Sequence, residues 1–146
     1  MRSPLIEFRN DGVKDSLTKA PAPAIFLTAL EREFASLVRE KRSMTVVSFV
    51  SASASTIHAD IASLARALKR ACRSTEPYSR ISEDGFWVLI RGGHDAAEKF
   101  VERLYSEPEL FLMEPTKRWH SKIIEHKPDE ALESWIARID KAHYQW

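Results

Sequence analysis

The chain has 146 residues, 44% hydrophobic and 29% charged, with a net charge of +1. That balance describes one soluble domain long enough to bury a core. It excludes bulk electrostatic attraction to nucleic acid or an anionic membrane, and no apolar run is long enough to span a bilayer.

Residues 1–14 read as an irregular N-terminal segment, and Met1–Glu7 lacks the long apolar stretch of a signal peptide. Pro21 and Pro23 lead into a four-residue recurrence of Phe26, Leu30, Phe34 and Val38, widened by Leu27 and Leu37. This predicts a helix over 23–41. Met44–Val50 is rich in β-branched residues and reads as a buried strand. The Ser/Ala run at 51–55 predicts a loop that ends with Ser55 as a helix N-cap. Ile57, Ile61, Leu64, Leu68 and Cys72 then mark a second amphipathic helix, with Arg66, Lys69, Arg70 and Arg73 on its solvated face. Cys72 is the sole cysteine, so neither an internal disulfide nor a cysteine-built zinc site can form. This suits a reducing cytosol, and a cytoplasmic location is the expectation.

Tyr78–Ile90 predicts a β-hairpin. Ser82–Gly85 are turn formers, and Asp84-Gly85 is a strong hairpin signal because glycine tolerates positive φ. Phe86–Ile90 is apolar on both faces, as in a central strand. Gly92-Gly93 ends that strand, and His94-Asp95 lead into a third helix with Phe100, Val101, Leu104 and Tyr105 on one face. Residues 106–119, with Pro108 and Pro115, read as irregular, and Ser121–Glu125 reads as a weaker strand. Pro128 and Asp129 read as the start of a last helix carrying Leu132, Trp135, Ile136 and Ile139. The order helix, strand, helix, strand, strand, helix, strand, helix predicts an α+β fold. Its expected form is a central, mostly antiparallel sheet of ferredoxin-like type with flanking helices.

Three strings carry a family resemblance. Asp15-Ser16-Leu17-Thr18, followed by Pro21 and Phe26, is similar to D-x-L-T-G-L-P-N-R-R-x-F. Arg80-Ile81-Ser82-Glu83-Asp84-Gly85-Phe86 is similar to R-x-G-G-D-E-F, and Arg138–Gln145 to the closing R-A-D-x-A-L-Y-x. Together they resemble the GGDEF domain, the diguanylate cyclase family. The resemblance implies one domain over 15–146, a nucleotide-cyclase-like fold and a place in bacterial cyclic di-GMP signalling.

Active members of that family join two GTP molecules, one on each subunit of a dimer, and metal ions neutralise the triphosphate. Measured against their motif, this chain keeps Asp84 and Phe86 but has Ser82 and Glu83 in place of the two glycines and Gly85 in place of the glutamate. Its first strand ends Val46–Ser51 without a carboxylate, and the D-x-D-x-F-K-x-x-N-D string is absent. The loop before the second helix is several residues short, and the sequence reaches Trp146 before any A-K-x-x-G-R-N string. A lone Asp84 is a poor Mg²⁺ ligand set and reads as a turn residue bonding its own backbone. The expectation is a catalytically inactive domain with no metal and no cofactor, acting on a protein partner or by self-association. A weak cyclase is the least favoured reading.

Many members also carry an R-x-x-D product site just before the hairpin. At that spacing stand Arg73-Ser74-Thr75-Glu76, one methylene longer at the acid. The resemblance therefore implies a possible cyclic di-GMP site at Arg73, Glu76 and Arg80, because arginine can bond guanine N7 and O6 while a carboxylate accepts from N1 and N2. The plainer alternative is a solvated Arg and Glu closing a basic helix. His58 and Asp60 point to different faces of their helix. Gly92–Asp95 reads as a strand-to-helix turn, and Trp87, Trp119, Trp135 and Trp146 as packing residues.

Overall fold

All eight residues of β1 (Met44–Ser51) are buried, and the sheet is assembled around this strand. The computed structural model describes residues 12–53, 55–72 and 76–145. α1 (Pro23–Glu40) precedes β1, and α2 (Ile57–Ala71) follows it. β2 (Tyr78–Ser82) and β3 (Gly85–Arg91) form the hairpin. α3 (His94–Tyr105), α4 (Pro108–Phe111), α5 (Pro115–Arg118), β4 (Trp119–Glu125) and α6 (Leu132–Tyr144) complete the chain.

β1 pairs antiparallel with β3 on one side, Val47 facing Val88, and with β4 on the other, Val47 facing Ile123. The sheet order β2-β3-β1-β4, threaded β-α-β-β-α-β, is the ferredoxin-like arrangement the sequence predicts. Alternation along the strands sorts the side chains into two cores. Val47, Phe49, Phe86, Val88 and Ile90 meet Ile61, Leu64, Leu68, Phe100 and Leu104 of α2 and α3. Met44, Val46, Trp87 and Leu89 meet Phe26, Leu30, Leu37, Trp135 and Ile139 of α1 and α6. Burial on both faces is why β1 and β3 read as unbroken apolar runs. Each large side chain so buried contributes about 1.5–3 kcal/mol.

α1 stops where Lys41 turns left-handed, at φ 53°, and its N–H caps the Leu37 carbonyl. Several sequence expectations are corrected. Residues 106–119 are not irregular: each of the two prolines opens a single-turn helix, α4 and α5, proline being favoured at a first helical position. The N-cap of α2 is Thr56, not Ser55, and its hydroxyl donates to Asp60 Oδ2 at 2.8 Å rather than to a backbone group. α6 starts at Leu132. Pro128 and Asp129 form a turn instead, with Asp129 at φ 63°. β4 begins two residues earlier than predicted, at Trp119. Most of the 1–14 segment lies outside the described residues, but Lys14 already bridges to Pro21. Among the described residues no helix is long and apolar enough to cross a membrane. Phe111 and Leu112 are exposed at the end of α4.

Candidate functional site

The hairpin tip is the site the sequence singles out, and its geometry starts with a bulge. Register shifts between Arg80 and Ser82, so Ile81 packs against the α1/α6 core while Arg80 is fully buried. Arg80 Nη1 lies 3.2 Å from both carboxylate oxygens of Asp15, which is also fully buried. Its Nη2 donates to the Glu83 carbonyl at 2.6 Å, across the turn. Asp15 Oδ2 also accepts from the Thr18 N–H at 2.8 Å and hydroxyl at 2.7 Å. The opening string and the hairpin string thus meet in one buried ion pair, which shapes the tip from beneath. A buried charge persists only when paired and hydrogen-bonded in this way.

Behind the tip lies a second polar cluster, built on His143 of α6. The residue is 1% exposed. Its Nδ1 is 2.6 Å from Ser48 Oγ on β1 and 3.2 Å from Trp87 Nε1 on β3. An indole N–H can only donate, so Nδ1 is the acceptor and the ring proton is assigned to Nε2. Nε2–H then donates to Ser82 Oγ at 2.8 Å, and the Ser82 hydroxyl donates to Asp84 Oδ1 at 2.7 Å. One chain of hydrogen bonds therefore runs from β1 and β3 through α6 to the tip acid. Asp84 bonds a neighbouring side chain here, which corrects the expectation that it bonds its own backbone. Its carbonyl, in turn, accepts from the Ser51 N–H at 2.8 Å and fastens the tip to the end of β1.

Gly85 belongs to the same cluster. A Cβ there would sit 2.4 Å from His143 Cε1 and 2.6 Å from the Phe49 carbonyl. Only a hydrogen fits, so the place that the family motif gives to glutamate is closed to any side chain in this packing. Phe86 beside it is wholly buried in the α2/α3 core, and Glu83 sits partly buried in the turn.

Of the three residues in the implied product site, Arg73 lies outside the described residues. Glu76 is bound by Arg103 of α3, with oxygens 3.2 and 3.1 Å from Nη2. Arg80 points into the protein, as described above. His58 is exposed and Asp60 buried, on different faces as expected. Asp60 instead holds Arg118 at 3.2 Å, tying α2 to the end of α5. Trp87, Trp119 and Trp135 are all packed inside. Burial pushes the Cys72 thiol well up, and the Glu76 charge adds to the shift, which disfavours the thiolate form.

His94, Asp95 and Glu98 bring ligand atoms within 4.8 Å of one another in the first turn of α3. All three are exposed, and the positive end of the helix opposes a cation there. At the end of the sheet remote from the tip, a cleft of about 610 Å³ opens between the end of α1 and the 126–130 loop. That loop is fixed by Arg138, which donates to Glu130 Oε2 at 2.7 Å and to the Glu125 carbonyl at 2.6 Å. The Arg138 bond holds the Glu130 carboxyl down at about 2.

No family profile matches the sequence, and no curated protein does either. Solved structures do. The GGDEF domain of DgcB from Caulobacter crescentus, in complex with c-di-GMP, aligns with 94% of this chain and 91% of its own, at 17% identity and a TM-score of 0.72. A DGC protein from Thermotoga maritima aligns with 86% of this chain and 97% of its own, at 22% identity and a TM-score of 0.65. Diguanylate cyclase SiaD from Pseudomonas aeruginosa, in complex with its activator SiaC, aligns over 89% of this chain but only 56% of its own, at 16% identity and a TM-score of 0.70. Order, register and these alignments agree: the chain has the fold of a GGDEF domain.

Proposed function

We propose that this chain is a catalytically inactive GGDEF-like domain of cyclic di-GMP signalling that works by binding a protein. The observation that carries the reading is the Ser48–His143–Ser82–Asp84 network. Metal-assisted phosphoryl transfer needs converging carboxylates with open coordination positions. Here the tip acid accepts from Ser82, and the adjoining strand Met44–Ser51 carries no acid at all. The SiaD–SiaC complex supports a protein as the class of partner for this fold.

The DgcB complex favours a second reading, a cyclic di-GMP receptor through Arg73, Glu76 and Arg80. Against it, Glu76 and Arg80 are each held by another side chain, and a ligand would have to break both contacts. Calorimetry with cyclic di-GMP separates the two, with no heat expected. Micromolar binding that Arg73→Ala abolishes would establish the receptor instead. Incubation with GTP and Mg²⁺ or Mn²⁺ at high protein concentration should yield no cyclic di-GMP; any protein-dependent product overturns the inactive reading.

A further inference from the structure

The buried stripe of α6 is Trp135, Ile139 and His143, one residue per turn. The first two are apolar and lie in the α1/α6 core. The third is an imidazole, so the last turn of the helix is anchored by a group whose charge changes near neutral pH. Opposite the ring stand Trp87, Ser48 and Lys122, direct cross-strand neighbours on β3, β1 and β4. Such neighbours share one face of a sheet.

Protonation sets this anchor against Trp87. In the neutral ring, Nδ1 accepts from the Trp87 indole and the Ser48 hydroxyl, while Nε2–H donates to Ser82. With a second proton on Nδ1, Ser48 can turn its oxygen to the ring, because a hydroxyl both donates and accepts. The indole N–H only donates, and it would face a ring N–H from 3.2 Å. Trp87 is 3% exposed, with Phe26 of α1 packed edge-on against it. The indole N–H is therefore stranded in the core unless the ring withdraws, and buried donors are almost always paired. The charged groups around the ring are mixed in sign. Asp84, reached through the Ser82 hydroxyl, favours the proton. Lys122, which bonds the Gln145 carbonyl just past α6, opposes it. Arg80 and Asp15 pair with each other beneath the tip. Glu83 lies in the turn, and Asp140 and Lys141 of α6 are exposed.

We infer that His143 is a pH-sensitive latch whose second ring proton releases the last turn of α6 from β3 and from the hairpin tip. Ile139, one turn earlier, stays packed and limits the opening to that turn. The freed imidazole takes up a proton that the packed ring resists, so acid favours the open form. Below about pH 6.5, where a free histidine is charged, the open population should rise by up to roughly tenfold per pH unit. The tip then loses the Nε2–H bond to Ser82. This goes beyond the reading above, because the latch works whichever partner meets the tip.

The test is hydrogen exchange of the whole chain by NMR between about pH 7.5 and about pH 5. It is read at the Trp87 indole N–H and the His143 amide, each rate divided by its intrinsic value. Both protections should fall by roughly tenfold per pH unit below about pH 6. Both should be unmoved by sub-denaturing urea, whereas the Ile139 amide should follow urea as global unfolding does. His143→Asn keeps an acceptor in place of Nδ1 but cannot titrate, and should flatten the pH dependence at both sites. Trp87→Phe removes the opposing N–H and should make the fall at the His143 amide several-fold shallower. It reports even if His143→Asn folds poorly. The inference is overturned by protection that stays level across this range, by an equal fall in either variant, or by exchange at the His143 amide that tracks urea as Ile139 does. A ring proton on Nδ1 at about pH 7.5, seen in the ring ¹⁵N shifts, also overturns it, since the ring would then not be the acceptor for Trp87.

Discussion

Replacing Arg80 with methionine asks whether the hairpin arginine serves the fold or a ligand. In the native protein its guanidinium bonds both oxygens of Asp15 at 3.2 Å and the Glu83 carbonyl at 2.6 Å, with both side chains wholly buried. Methionine fills the volume of the stem but strands the Asp15 carboxylate in the core with, among the described residues, the two Thr18 donors. Breaking one side of a buried pair costs about 3–5 kcal/mol, a large part of the roughly 5–15 kcal/mol that holds a domain folded. At about 2–4 °C per kcal/mol for a domain near this size, the melting temperature should fall by about 6–20 °C. Asp15→Leu in the same background removes the stranded charge and should recover most of the loss. Because the pair is dry, the deficit should persist in high salt. Thermal and urea unfolding by circular dichroism measure all of this. A single variant within about 1 kcal/mol of the parent, or a double variant no better than the single, would refute the structural role and return Arg80 to the list of ligand groups.

Three further outcomes follow from the same packing. His143→Leu leaves Trp87 Nε1 and Ser48 Oγ without their shared acceptor. It should cost about 1–3 kcal/mol net of the apolar gain, with partial recovery on adding Ser48→Ala; equal stability of parent and single variant in urea would contradict the network. Gly85→Glu restores the motif letter but drives a Cβ into the His143 ring and the Phe49 carbonyl. It should lower the melting temperature and yield no cyclic di-GMP, overpacking of this kind costing about 1–3 kcal/mol or more. Glu130 is held at about 2, against an ordinary 4.5, by Arg138. Its folded value is depressed, so its contribution is complete above pH 4.5 and is lost as pH falls toward 2. Arg138→Met should flatten the stability–pH slope in that window, and parallel slopes for the two proteins would count against the pairing.

The sheet was legible because its signals are local. Met44–Ser51 and Phe86–Ile90 are apolar on both faces, which only a central strand covered by two helical layers requires. The turn formers Ser82–Gly85 located the turn for a similarly local reason, although its two central residues are Glu83 and Asp84, and Gly85 opens β3 without the positive φ expected of it. α4 and α5 were invisible because four residues give no periodicity, and Pro108 and Pro115 look alike as loop breakers and as helix starters. Pro128-Asp129 misled for the converse reason: a good N-terminal pair was used for a turn that seats Glu130 on Arg138. The tip residues themselves could be named from the motif, but what they do could not. Asp15 meets Arg80 across 65 residues of sequence and Ser48 meets His143 across 95, and no window of sequence reports such a contact. One signal was available for the second pair: the closing string has histidine where the family has leucine, and a buried histidine demands polar neighbours.

That histidine bears on whether the tip is a damaged enzyme or a different core. Random loss at a catalytic site would leave gaps and stranded groups, each repairable by one reversion. Here the departures from the motif fit one another. Gly85 is what lets the His143 ring approach β3. Its ring needs the Ser48 hydroxyl on a strand that elsewhere would end in an acid, and Ser82, standing for a glycine, carries the chain on to Asp84. Such agreement between levels is the mark of a sequence specifying one packed state. Reverting Gly85 meets His143, and reverting Ser82 removes the acceptor of Nε2–H. Under the inactive reading proposed above, each step toward the cyclase motif should therefore destabilise before it adds chemistry, so single reversions should fail together rather than one by one.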